Sequence, residues 1–323
     1  MELLNNLGIS YCGSYINQGS LIDKCKKSEK LGIKNIELLL RNDGKDTDYN
    51  NISGLYTGNM ILHAPAINTT LSNIKTIKEG INTLNSQNVK LITIDASTLL
   101  YETYDWSTAE EQQNYLKNMA KGIASLSNYR IPIAIENTTV LKNNLLFGKT
   151  ASNISDLLVY VRDALVEEYD FTREDAYRFV GVSLNIGNLM DTDEIGSINN
   201  WLQVFYNDIM CLKLRDLDLI LPLLDQIVDV FLKNDVDIPI ILETTEELES
   251  INNVYNKLEF LMKNKLDNKP FNFDGYQELA KSRYNEFNNN FNTSQSGFTN
   301  AVIVSMIILT VIIAVLIILI QFR

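Results

Sequence analysis

Short apolar runs closed by turn residues alternate with amphipathic stretches along the first 265 residues, and this rhythm admits few folds. Alternating strand and helix signals specify a parallel sheet whose crossovers are helices. The predicted strands are residues 7–10, 35–40, 60–64, 91–95, 131–136, 180–184, 209–214 and 238–243, and the clearest helical stretches are 21–31, 108–126, 155–168, 221–232 and 248–263. Several strands are apolar on both alternating faces, as required when helices cover the outside and side chains fill the inside. No Gly-x-Gly-x-x-Gly turn follows the first strand, so the phosphate-binding signature of an open doubly wound sheet is missing. The expectation is one α/β domain over residues 1–265, a (β/α)8 TIM barrel closed by eight strands and eight helices.

Beyond residue 265 the character changes. Residues 266–300 are rich in Asn, Phe, Ser and Gln and read as a short helix and a flexible polar stalk. Residues 301–320 then run without a charge before Gln321, Phe322 and Arg323. Twenty helical residues rise about 30 Å, the thickness of a bilayer's hydrocarbon core. A single-pass C-terminal transmembrane helix is expected there, with the membrane as partner. The N-terminus lacks a basic region followed by an apolar one, so no cleaved secretory signal is expected and the barrel should face the cytosol.

Composition narrows the function. The formal charge is −12 and the pI about 4.7, which opposes gripping a phosphate backbone and makes nucleic acid an unfavoured partner. Cys12, Cys25 and Cys211 are widely spaced, with no Cys-x-x-Cys pair, and are expected reduced and mostly buried. Five Asn-x-Ser/Thr sequons carry little weight in so Asn-rich a chain. Asn, Ile and Lys usage suits an AT-rich genome, such as that of a large DNA virus assembling on internal membranes, where the protein would sit in a virion membrane.

Chemistry in a parallel barrel gathers at the C-terminal ends of the strands. There the chain places its one histidine, His63, with Asp95, Glu136 and Asn137, Asn185 and Asn188, Lys213, Arg215 and Asp216, and Glu243. Polar groups from several strands aimed at one axial point have the shape of a metal site, although the residue types suit one poorly. A lone histidine beside Pro65 is also an ordinary hydrogen-bonded strand-end residue.

Five motifs carry a resemblance. His-Ala-Pro-x-Ile-Asn over 63–68, Ile-Ala-Ile-Glu-Asn-Thr over 133–138, Gly-Val-Ser-Leu-Asn-Ile-Gly-Asn over 181–188, Leu-Lys-Leu-Arg-Asp over 212–216 and Ile-Ile-Leu-Glu-Thr over 240–244 resemble the apurinic/apyrimidinic endonuclease IV family. That family belongs to the wider group of xylose-isomerase-like barrels, and the likeness spans about residues 5–265. It implies a cluster of divalent ions, commonly zinc, held by histidines and carboxylates. His63, Glu136 and Glu243 match its ligands. Asp95 stands where the endonucleases have a histidine, Asn185 and Asn188 replace an Asp-x-x-His pair, and Lys213 replaces a histidine. The Asp-x-His loop after strand seven has no counterpart, since Asp216-Leu-Asp218 runs into a Leu-rich stretch.

Amide oxygens bind divalent cations more weakly than carboxylates, so a trinuclear zinc site is not expected. An ammonium in the ion's place would neutralise the carboxylates, and Lys213 should lie within salt-bridge reach of Glu136 or Glu243. The sequence reading is therefore a catalytically lapsed, membrane-anchored barrel acting as a structural or interaction protein, with no cofactor. The alternative is an enzyme with one divalent metal ion, either a sugar-phosphate isomerase or epimerase or a phosphodiesterase. In it Glu136 and Glu243 are the principal ligands, His63 is the remaining ligand or, like Lys213, an acid–base group.

Overall fold

A computed structural model describes residues 6–12, 20–40, 52, 54–64, 71–83, 88–96, 109–138, 147–191, 198–215, 238–243 and 256. Eight parallel strands, β1 (Leu7–Ser10), β2 (Asn35–Leu39), β3 (Asn59–Ala64), β4 (Val89–Asp95), β5 (Ile133–Glu136), β6 (Val180–Asn185), β7 (Ile209–Arg215) and β8 (Ile240–Glu243), pair in sequence order. Pairing of β8 with β1 closes the ring. The expected barrel is present.

The strand ends differ from the sequence reading for a physical reason at two places. Both β5 and β8 begin two residues later than expected, just after Pro132 and Pro239. Proline has no N–H to give to a ladder. Its carbonyl still serves, for Ile92 N–H donates to Pro132 O and Leu212 N–H to Pro239 O, each at 3.0 Å.

Alternation along the strands divides the interior into two cores. Residues such as Ile36, Leu38, Leu62, Ile92, Ile133, Ile135, Val182, Leu212 and Leu242 face outward into the large core beneath the helices. Inside the ring a smaller apolar layer of Ile61, Leu91, Ala134, Cys211 and Ile241 plugs the barrel. Two residues further along those same strands the inward positions become His63, Thr93, Glu136, Lys213 and Glu243. The switch from oil to charge happens within one turn of pleat, and it puts every one of these groups at the C-terminal mouth.

The helices are set by caps and amphipathic faces. The helix Leu21–Lys30 starts with a reciprocal capping box between Ser20 and Asp23, and Ala151–Glu168 starts at Thr150, whose side chain accepts from Asn153 N–H. The latter buries Ile154, Leu157, Leu158, Val161 and Leu165 against the sheet. The expected stretch at 108–126 is the helix Ala109–Ala124, followed by a 3-10 turn Ser125–Tyr129. Cys25 and Cys211 are buried, Cys12 is partly so, and all three are free thiols.

Several expectations fall outside the described residues: the helices at 221–232 and 248–263, Asp216 and Asp218, the stalk at 266–300 and the anchor at 301–320. Among the described residues no helix is long and apolar enough to cross a membrane. By chain contacts the protein divides into two units, Met1–Asn268 and Lys269–Arg323.

Candidate functional site

The centre of the polar layer is Lys213. Its side chain is 1% exposed, and Nζ donates to Glu37 Oε1 at 2.6 Å and to Glu136 Oε2 across a very short contact. His63 Nδ1 lies 3.3 Å from the same nitrogen. The expected reach to Glu136 is observed, and Glu37 on β2 is the partner that the sequence reading missed. An ammonium this deep is costly unless anions surround it. Burial works to lower its pKa, but the charges of Glu136, Glu37 and Glu243 more than offset burial and hold Lys213 well above its usual value.

Glu37 is wholly buried. Its Oε1 accepts from Lys213 and from Thr93 Oγ1, the latter at 2.9 Å, while its Oε2 has no hydrogen-bond partner among the described residues. Burial alone would raise this carboxyl, yet Lys213 and His63 together hold it far below the usual range. Thr93 has a single hydroxyl hydrogen and gives it to Glu37. His63 Nδ1, 3.0 Å from Thr93 Oγ1, must then be the donor, which fixes a hydrogen on Nδ1 and leaves Nε2 as the atom able to exchange a proton elsewhere. Burial and Lys213 push the His63 pKa down, while the hydrogen bond to Glu37 and the charges of Glu136 and Glu37 push it up, and the upward effects prevail. Glu37 Oε1 and Glu136 Oε2 lie 3.5 and 3.7 Å from His63 Nδ1.

Asn185 joins the two remaining glutamates. Its Nδ2 donates to Glu136 Oε1 at 2.8 Å and to Glu243 Oε2 at 3.0 Å, so both amide hydrogens lie between carboxylates. Its Oδ1 accepts from Asn188 N–H at 3.1 Å, capping the helix Ile186–Asp191. Because only an oxygen can accept that N–H, the amide cannot be turned around. Burial, and repulsion from Glu136 and Glu37 only partly relieved by Lys213, raise Glu243 to about 7.

Asn137 and Asn188 hold this corner rigid and do not enter the charge cluster. Asn137 accepts from Asn185 N–H at 2.7 Å and donates to Asn185 O at 3.0 Å, continuing the β5–β6 ladder with a side chain in place of backbone. Asn188 Nδ2 donates to Asn137 O at 2.7 Å. Asp95 is half-buried at the end of β4 and accepts from Thr138 Oγ1 at 3.4 Å. The two glycines of the β6 motif are required by close approach. A Cβ on Gly181 would meet Asp208 O at 2.1 Å, and one on Gly187 would meet Arg215 Nε at 2.6 Å.

The donor set does not fit the divalent ion that the sequence resemblance implies. Of His63, Glu136 and Glu243, Glu136 already holds the Lys213 ammonium, His63 Nδ1 carries a hydrogen and sits 3.3 Å from that cation, and Asn185 directs hydrogens, not its oxygen, at both glutamates. Among the described residues, the group compact enough to hold an ion is Cys12, Glu37 and His63, whose donor atoms lie within 4.8 Å of one another. That group shares Glu37 with Lys213, and burial with the charge of Glu37 pushes the Cys12 thiol well above its usual pKa, away from the thiolate that a metal needs.

No family model and no curated protein sequence matches the chain. Solved structures do match. A D-tagatose 3-epimerase-like protein has a TM-score of 0.55 at 14% identity, covering 81% of this chain and 97% of that one. The 3-keto-D-glucoside 4-epimerase of E. coli has a TM-score of 0.55 at 10% identity over 80% and 99%. A family 2 AP endonuclease from Brucella melitensis has a TM-score of 0.56 at 11% identity over 76% and 95%. Another structural neighbour is a xylose isomerase domain protein from Alicyclobacillus acidocaldarius, with a TM-score of 0.53 at 12% identity over 80% of this chain and 99% of that one. At these identities the likeness is one of fold, shared by sugar epimerases and an endonuclease alike.

Proposed function

We propose that the barrel mouth catalyses proton transfer beside a carbonyl group on a small polyhydroxylated substrate, the isomerase or epimerase class of reaction. The observation that carries this reading is the placement of Glu136 and Glu243 on one amide nitrogen, with the partly exposed Glu243 and His63 at the rim of a buried charge network. The sugar epimerases among the structural neighbours agree with it. Glu243 as carboxylate takes the proton from carbon, which relieves its repulsion with Glu136 and Glu37. The C–H electron pair forms the new C=C bond and the C=O π pair passes to oxygen as His63 gives that oxygen a proton, leaving an enediol; Glu243 then delivers its proton to the former carbonyl carbon while His63 takes the proton of the neighbouring hydroxyl, so both groups end as they began. Lys213, Glu37, Glu136 and Asn185 position these two groups and set the field around them.

The test is solvent exchange. Full-length protein incubated in D2O with a panel of ketopentoses and ketohexoses should place deuterium at the carbon next to the carbonyl, read by NMR. Glu243→Gln should remove that exchange. If no member of the panel exchanges above a protein-free control, the reading falls.

A second reading keeps the barrel as a lapsed enzyme with a structural or interaction role. It is favoured by the saturation of the network, in which both amide hydrogens of Asn185 and the ammonium of Lys213 are already matched by protein carboxylates. Separately, we propose that residues 301–320 anchor the chain in a membrane with the barrel toward the cytosol, supported by their length and apolarity alone.

A further inference from the structure

We propose that Lys213 and Asn185 together take the place of a divalent ion, so that this barrel carries its cation as part of the chain and works without a metal. The inference rests on the acid–base reading of the same mouth for its functional sense, and on the geometry alone for its substance. Three carboxylates, Glu37, Glu136 and Glu243, converge on one small volume inside the ring. In water-poor surroundings such a group needs a cation or a proton. Lys213 Nζ is bonded to two of the three, and the Asn185 amide supplies one hydrogen to Glu136 and another to the third, Glu243.

The two substitutions act as a set. An aspartate at 185 would keep the helix cap, since a carboxylate oxygen also accepts Asn188 N–H, but it would face Glu136 and Glu243 with no hydrogens to give. A histidine at 213 would supply a ring nitrogen in place of the ammonium. With either change the carboxylates lose a donor, and a divalent ion gains one ligand. Both together turn a cluster held by its own ammonium and amide into four carboxylates and two imidazoles, from which Mn2+ or Zn2+ can draw a donor set. The same residues that make the native cluster refuse an ion would, reversed, admit one.

The experiment uses the full-length protein, its N185D/K213H variant and its K213M variant, each checked for folding by circular dichroism. Metal content after gentle purification is read by elemental analysis, and Mn2+ binding by electron paramagnetic resonance titration. The wild type should hold well under one equivalent of any divalent metal, and N185D/K213H should bind one Mn2+ per chain at least tenfold more tightly, with K213M intermediate. The proposal is overturned by a wild type carrying one divalent ion per chain that is lost in E136Q. It is equally overturned if both variants fold and neither binds Mn2+ better than wild type. A wild type that holds an ion and also exchanges sugar deuterium would remove this inference while leaving the isomerase reading in place.

Discussion

Substituting Lys213 by methionine keeps the stem's volume and removes the charge, and the structure sets limits on what that should cost. Glu37 is fully buried and Glu136 nearly so, and among the described residues Glu37 would keep Thr93 and the more distant His63 as donors to Oε1 and none to Oε2. Breaking a buried pair by deleting one member typically costs about 3–5 kcal/mol. The chain has one escape, which is to protonate Glu37. Moving a carboxyl with an ordinary value of 4.5 to the neutral form costs about 1.4 kcal/mol for each pH unit above that value. The escape is therefore dear at pH 8, at about 5 kcal/mol, and cheaper at pH 6, at about 2 kcal/mol.

The expected deficit of Lys213→Met is then about 4 kcal/mol at pH 8, falling to about 2 kcal/mol at pH 6. Urea unfolding followed by circular dichroism and tryptophan fluorescence measures it, with the buried Trp201 as an internal reporter. The double variant Lys213→Met with Glu37→Gln removes the stranded carboxylate and should recover at least half the loss at pH 8, because the amide needs no cation. A deficit under about 1 kcal/mol at pH 8, or one that does not change with pH, would refute the claim that the ammonium holds the cluster together.

Other outcomes follow from the same contacts. Glu243 has a folded value near 7 against an ordinary 4.5, so the native state holds its proton longer than the unfolded chain and stability should fall as pH rises between those values. The full shift is worth about 3 kcal/mol, and partial exposure of the side chain reduces it to about 2. Glu243→Gln should abolish that slope and be more stable than wild type at pH 8, and a less stable variant there would sink the assignment. The depressed Glu37 acts in the opposite sense and in another window, its contribution being lost only as pH falls below about 4.5. Asn137→Ala leaves the buried N–H and C=O of Asn185 without partners and should cost about 3 kcal/mol in urea unfolding. Deleting residues 299–323 should convert a membrane-pelleting protein into one that stays in the supernatant, and release of the full-length chain by alkali would count against an anchor.

The barrel was legible in the sequence because its signals are local. Each strand is an apolar run long enough to mark itself, and the errors at β5 and β8 trace to Pro132 and Pro239, which end the ladder's N–H pattern without ending the strand's path. The mouth was partly legible. His63, Glu136, Asn185, Lys213 and Glu243 stand at strand ends, where barrels keep polar groups, and the structure brings them together. Glu37 escaped because it lies inside β2 and not at the end of a motif. A signal existed, however: a glutamate between Ile36 and Leu38 in a strand buried on both sides almost never lacks a cationic partner. Once a glutamate is known to point into the ring, a lysine pointing inward from β7 is the natural candidate. The roles of Asn137 and Thr93 were not legible, since a side chain that imitates a ladder bond, or a hydroxyl that decides a histidine tautomer, leaves no periodic trace.

The pattern of donors at this mouth bears on what the site is for. If the ligands of an ancestral ion had simply been released from constraint, the losses should be independent, and a buried carboxylate with no counter-charge would be the common residue of decay, at a cost of several kcal/mol. Here the two positions that lack the expected carboxylate and imidazole, 185 and 213, instead supply hydrogens, and those hydrogens go to the three glutamates. Asn185 even retains the helix-capping oxygen that an aspartate would have offered. Donors at 185 and 213 that reach all three glutamates, keep the helix cap and leave Glu243 partly exposed give the cluster one coherent purpose. Whether that purpose is chemistry at the rim or stability of the ring is what deuterium exchange and the Lys213→Met deficit separate: the first requires Glu243 to remain reachable, and the second does not.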